Sequence, residues 1–247
     1  ITGSHPEYWS GEMLDGLQDY LSNGGRVMYL GGNGFYWVTT PGPEQPHIVE
    51  IRRWLGTRSW DAAPGEFYHS TTGELGGLWR ARGRPPQQLV GVGFSASGGI
   101  DTSSPYYRLP ASKDPRASFI FKGVEENEVI GNFGLVQGGA AGWELDRADN
   151  NLGTPPHALV VASATQFSNI YQHAVEEVFL MNAEQGGEVN PLVRADMVYF
   201  EGPKGGGVFS VGSITWCGSL SHNNYDNNVS TITENVLQRF LSEESLG

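Results

Sequence analysis

Three short stretches of this chain bring together residue types that can do chemistry. The first is Ile1-Thr2-Gly3-Ser4-His5-Pro6-Glu7-Tyr8-Trp9-Ser10, with an imidazole and a carboxylate two residues apart. A His and a Glu on one loop can bind a metal or work as acid and base. Taken alone, a His-x-Glu triplet is common. The second is Leu30-Gly31-Gly32-Asn33-Gly34-Phe35-Tyr36-Trp37. Glycines on both sides of Asn33 resemble a sharp turn that exposes its central side chain. Asn tolerates a left-handed backbone better than most residues. It has no nucleophile, but its amide can donate to an oxyanion or hold a substrate carbonyl. A Gly-rich turn with no chemical role fits the same residues. The third is Gly138-Gly139-Ala140-Ala141-Gly142-Trp143-Glu144-Leu145-Asp146-Arg147. Small residues permit close backbone approach, and Glu144 beside an aromatic suits a general base of raised pKa. The competing expectation is a salt bridge from Glu144 or Asp146 to Arg147.

The elements that must position these residues follow from spacing. Ile1-Thr2 reads as the tail of a strand, Gly3-Ser4 as a break, and Ser10 as the N-cap of a helix to Leu21. Met13, Leu14, Leu17 and Leu21 lie on its apolar face, and Asn23-Gly24-Gly25 ends it. Arg26–Leu30 is then a strand of the continuous apolar kind expected in a parallel sheet, completing a strand–helix–strand unit. From about 41 to 115, Gly, Pro, Trp and Tyr recur every few residues, which predicts an insertion of loops and short strands over the sheet edge. Short strands are expected at Ile48–Trp54, Leu89–Phe94, Ser118–Phe121, Val129–Phe133 and Ala158–Ala162, and a short helix at Val175–Met181. Met197–Phe200 and Val208–Ser213 flank a glycine-rich hairpin signal. A final helix runs from about Asn228 to Leu241, capped by Asn227 or Asn228.

Composition removes several function classes. The net charge of −12 over 247 residues argues against nucleic acid, whose phosphates need basic patches. The most basic stretch, Trp79 to Arg84, precedes two prolines and reads as a solvated turn. No apolar run is long enough to span a membrane. The single cysteine, Cys217, allows no internal disulfide and fits a reducing compartment, hence a cytoplasmic location. At the end of an expected buried strand it is a small core residue; the rival idea, a Cys217 hydrolase, needs a His beside it. His47, His157 and His173 lack acidic neighbours at ligand spacing. His69 follows Glu66 and suits a supporting position, and His222 belongs to the run that caps the last helix. No HExxH, CxxC, Walker or dinucleotide motif is present.

Taken together, Gly3 to Ser10, Gly24 to Tyr36, Gly73-Glu74-Leu75-Gly76-Gly77-Leu78-Trp79-Arg80, Gly138 to Arg147 and Trp216-Cys217-Gly218-Ser219-Leu220 resemble one family. It is the C-terminal domain of the large subunit of N,N-dimethylformamidase and its relatives, and the resemblance covers nearly the whole chain. It implies a glutamine-amidotransferase-like (flavodoxin-like) α/β sheet flanked by helices, elaborated by the Gly/Pro/aromatic-rich insertion. It also implies an amidohydrolase with a mononuclear iron, expected as Fe3+, held by two tyrosines and a glutamate. Glu7 matches the glutamate, with His5 beside it, while Asn33 and Glu144 match the family's active-site asparagine and later glutamate. The two tyrosines are expected upstream, so Tyr8 and Tyr36 are not adopted as ligands. The chain, which starts without Met, is then a single domain cut from a longer chain and carries one metal ligand of three.

A ferric ion suits phenolate and carboxylate oxygens. The expected substrate is a short N-substituted amide, caged by Phe35, Tyr36, Trp37 and Trp143. The upstream part of the large subunit, a small subunit and further copies of the chain are the expected partners. The alternative is a non-catalytic, degenerate amidotransferase-like domain for assembly or sugar binding.

Overall fold

Helical spacing is confined to few segments of this chain, and the rest is punctuated by glycine and proline; strands therefore dominate. The computed structural model describes residues 1–56, 59–99, 101–174 and 183–247. In chain order it contains β1 (Tyr8–Trp9), α1 (Gly11–Ser22), β2 (Arg26–Tyr29), β3 (Trp37–Pro41), β4 (Val49–Ile51), α2 (Gln87–Val90), β5 (Gly93–Ser97) and β6 (Tyr107–Arg108). Then come β7 (Glu144–Arg147), β8 (Leu159–Ala164), β9 (Gln172–His173), β10 (Ala195–Glu201), β11 (Gly207–Ser210) and α3 (Asn228–Leu241). They form three sheets, ordered β1-β3-β4, β2-β11-β10-β8-β6 and β7-β5-β9.

This overturns the expected helix-flanked, flavodoxin-like α/β fold of glutamine-amidotransferase type. Eleven strands in three sheets stand against three α-helices among the described residues. Among the described residues only β1–β3 and β2–β11 pair in parallel, and the other pairings are antiparallel. The physical reason lies in the connections. A doubly wound sheet needs a helix in each crossover between parallel strands. Here a hairpin joins β10 to β11, and long loops with 3-10 turns fill most of the remainder.

Side-chain alternation in the five-stranded sheet divides the core. Val27, Tyr29, Val198 and Val208 pack with Leu14, Leu17 and Leu21 of α1. Their neighbours Met28, Met197 and Phe209 pack with Val229, Ile232 and Val236 of α3. Both helices start as expected: Ser10 Oγ accepts from Met13 N at 3.3 Å and Asn227 Oδ1 from Ser230 N at 2.9 Å. Other expectations fail locally. Ile1-Thr2 is not a strand, although Thr2 N–H donates to Met28 O. Leu89–Phe94 divides between the end of α2 and the start of β5. Ser118–Phe121 forms turns, and of Val129–Phe133 only Ile130 makes a bridge, to Tyr106. Cys217 lies in a 3-10 turn, Trp216–Ser219, rather than a strand. The helix expected at Val175–Met181 falls outside the described residues. No helix among those described is long and apolar enough to cross a membrane.

The segment after β4 borders the site described below, and Glu50 anchors it. Its carboxylate accepts from Ser70 N at 2.8 Å, Thr71 N at 3.2 Å and Arg52 Nε at 2.9 Å. Burial opposes ionisation, but these donors overcome it and hold the carboxyl down at about 2. A depressed folded pKa contributes stability above the unfolded value and loses it as pH falls through the folded one. Glu50→Gln should therefore lower the melting temperature at neutral pH, and the gap from wild type should close between about pH 4.5 and 2. A gap that stays constant over that range, measured by calorimetry, would contradict the role of the charge.

Candidate active site

The first two stretches are zipped together by backbone bonds. Gly32 N–H donates to Ser4 O, Phe35 N–H to Pro6 O, and both Tyr36 and Trp37 N–H to Glu7 O. Beyond them β1 continues in parallel with β3, Tyr8 opposite Trp37. Close approach requires glycine here, since a Cβ on Gly31 would lie 2.5 Å from Ser4 O. The third stretch enters from β7, whose Asp146 N–H donates to Gly212 O just beyond β11. Thus segments more than a hundred residues apart meet at one point.

The structure brings all four sequence-predicted residues together there. His5 Nε2 lies 2.8 Å from Glu144 Oε2 and 3.5 Å from Glu7 Oε2. Asn33 Nδ2 lies 3.1 Å from Glu144 Oε2 and 3.3 Å from Glu7 Oε1, and Trp37 Nε1 donates to Glu7 Oε1 at 2.8 Å. Carboxylates only accept, so the nitrogen of the Asn33 amide must face them. Its Oδ1 is left buried without a hydrogen-bond partner. The hydrogen bond to Glu144 raises the His5 pKa most; burial opposes it, and the charges of Glu144, Glu7 and Asp146 add to the rise.

Around these groups lies a cavity of about 140 Å³ lined by His5, Glu7, Tyr8, Asn33, Trp37, Arg53 and Glu144. That is room for a molecule of a few heavy atoms. Arg53 had no signal in the sequence. Its guanidinium lies 5.6 Å from the Tyr8 ring centre and 5.1 Å from that of Trp37, and it bonds to the Tyr8 hydroxyl. It brings a positive charge to a cavity with two carboxylates.

Other expectations separate from the site. The aromatic cage does not form: Phe35 is buried against Trp9 and Tyr29, and Tyr36 packs on Trp37 and Phe94. Trp143 is 45% exposed and does not line the cavity; only Trp37 of the four does. Arg147 pairs with Asp149 at 2.7 Å rather than with Glu144 or Asp146. His69 is buried elsewhere, against Thr40. The basic stretch is dispersed, with Arg82 on Glu74, Arg84 on Asp15 and Arg80 donating to Phe94 O. Cys217 donates to Leu30 O at 3.2 Å, and burial pushes its thiol pKa up. That is the chemistry of a core thiol rather than a nucleophile.

The donor set bears on the iron expectation. Glu7 Oε1 is occupied by two N–H donors, while Oε2 lies 3.5 Å from His5 Nε2. A carboxylate held through one oxygen and lining a cavity fits one metal-ligand position. Among the described residues no group of three or more His, Cys, Asp or Glu side chains is placed to hold a metal ion.

With this geometry in view, the comparisons with known proteins are specific. Residues 1–227 match the family described as "N,N-dimethylformamidase beta subunit-like, C-terminal". The N,N-dimethylformamidase beta subunit of Paracoccus aminophilus is 47% identical over 244 residues, covering 99% of this chain and 32% of that protein. The one from an Alcaligenes species is 46% identical over the same length, with the same two coverages. This chain spans about a third of the length of these relatives. It belongs to the dimethylformamidase beta-subunit-like family.

Proposed function

We propose that this family member forms the active-site wall of an iron-dependent amide hydrolase that cleaves short N-substituted amides such as N,N-dimethylformamide to formate and an amine. The observation that carries the proposal is the convergence of His5, Glu7, Asn33 and Glu144 on one small cavity. The names of the relatives supply the substrate class.

In this reading Glu7 is one iron ligand, and two tyrosines from a preceding segment of a longer chain complete the set. The iron, when bound, supplies Lewis-acid polarisation of the amide carbonyl and lowers the pKa of the attacking water. Glu144 takes the proton that this water loses on adding to the carbonyl carbon. His5, 2.8 Å from Glu144, holds the carboxylate in place and shares its proton; the pair then returns one proton to the amine nitrogen as the C–N bond breaks. Asn33 spaces Glu7 from Glu144 with one amide nitrogen. With both hydrogens so directed, it reaches a substrate carbonyl only by giving up one of these bonds. Trp37 fixes Glu7 by donating its indole N–H to Oε1.

The test is a full-length large subunit carrying this segment, purified with its natural partner subunits from iron-supplied cells. Incubated with N,N-dimethylformamide, it should release formate and dimethylamine in equal amounts. Absence of both products from iron-loaded protein would sink the proposal.

A further inference from the structure

Asn33 has φ +50° and Phe35 φ +56°, so the turn that presents the Asn33 amide holds two non-glycine residues in the left-handed region. Such a backbone persists only where the surroundings over-determine it. The surroundings here are two buried side chains outside the cavity. Asn33 N–H donates to Asp146 Oδ1 at 2.7 Å, and the next amide, Gly34 N–H, donates to the Tyr29 hydroxyl at 2.7 Å. That hydroxyl in turn donates to Asp146 Oδ2 at 2.8 Å. We infer that Asp146 and Tyr29 are positioning residues for the reaction: they lock the Asn33 turn so that its side-chain amide spans Glu7 and Glu144.

With Asp146 ionised, the bonding admits one arrangement. Tyr29 has a single hydrogen, spent on Asp146, which leaves its lone pair for Gly34 N–H. Both Asp146 oxygens accept, so a carboxylate fits where a carboxamide would turn an NH2 group towards a donor. Glu144 and Asp146 stand two apart on β7 and so share a face. One strand therefore grips Asn33 at both ends, by its backbone N–H through Asp146 and by its side-chain nitrogen through Glu144. The packing is equally close: a Cβ on Gly34 would lie 2.7 Å from the Tyr29 ring. Tyr29 and Asp146 are fully buried and line no part of the cavity, so they act through Asn33 and not on the substrate. Burial pushes the Asp146 carboxyl up to about 7, against the pull of the Asn33 and Tyr29 donors, consistent with a site that must work to keep the charge.

The inference rests on the proposed amide hydrolysis, and its test separates the two. In the full-length protein with its partner subunits, Tyr29→Phe should leave iron content unchanged and raise amide exchange across residues 31–36 by roughly tenfold. Its kcat for N,N-dimethylformamide should fall about tenfold to a hundredfold, the scale of a small misplacement, while KM stays within about twofold. Asp146→Asn should do the same more strongly. A wild-type protein with no hydrolysis removes the functional reading and this inference with it. An active wild type whose Tyr29→Phe variant matches it in kcat removes the inference alone, whatever the exchange shows.

Discussion

Glu7→Ala in the full-length subunit should purify with little or no iron and lose turnover of N,N-dimethylformamide by about a thousandfold or more, as expected when a metal that polarises the carbonyl is lost. One oxygen of the Glu7 carboxylate is committed to Trp37 and Asn33, and the other faces His5 at a distance too long for a strong bond. That asymmetry suits a ligand braced from behind. A matched control follows from the brace: Trp37→Phe removes the indole N–H and keeps the carboxylate, so iron affinity should fall only about 10- to 100-fold. Metal analysis and steady-state kinetics on the two variants distinguish a ligand from its support. Iron content that survives Glu7→Ala would remove the ligand role.

How much of this was legible in the residues depends on the range of the interactions involved. Caps and helical spacing act within a few residues, so α1 and α3 could be read with their Ser10 and Asn227 caps. The β10–β11 hairpin was legible for the same reason, through the glycine-rich turn between its apolar runs. The fold was not. Arg26–Tyr29 is almost wholly apolar after its first residue, the pattern of a parallel strand, and it does pair in parallel with β11; but the other pairings of its sheet are antiparallel. A central antiparallel strand covered on both faces gives the same pattern; β10 is one. Burial is written in the residue types, but pairing direction is set by the connections.

The site divides in the same way. His5, Glu7, Asn33 and Glu144 stand out because they lie in short stretches that mix glycines, aromatics and polar groups. Arg53 comes from a segment without such a signature, and only the fold lays it over Tyr8 and Trp37. Asp146 was visible but was expected to pair with Arg147; the structure gives Arg147 to Asp149 and Asp146 to Asn33 and Tyr29. The alternation of a strand held the clue, because it puts Asp146 on the face of Glu144 and Arg147 on the other.

Glu144→Gln tests whether Glu144 moves protons or holds metal. The substitution keeps the shape of the side chain and a carbonyl oxygen that can accept from the Asn33 amide or from His5. It removes the charge and the basicity. If Glu144 takes the proton of the attacking water, kcat should fall by about 10²- to 10⁴-fold, the usual weight of general acid–base catalysis, with iron retained and KM little changed. A metal ligand would behave differently, since a neutral carboxamide is a poor donor to a hard ferric ion and the iron itself would be lost. The position of His5 favours the first outcome: its Nε2 is at hydrogen-bond distance, 2.8 Å, from Glu144 Oε2 but 3.5 Å from Glu7 Oε2, so Glu144 is the carboxylate paired with a group that can share its proton. Iron and kcat measured on the same preparation decide the assignment, and loss of iron on Glu144→Gln would transfer Glu144 to the ligand set.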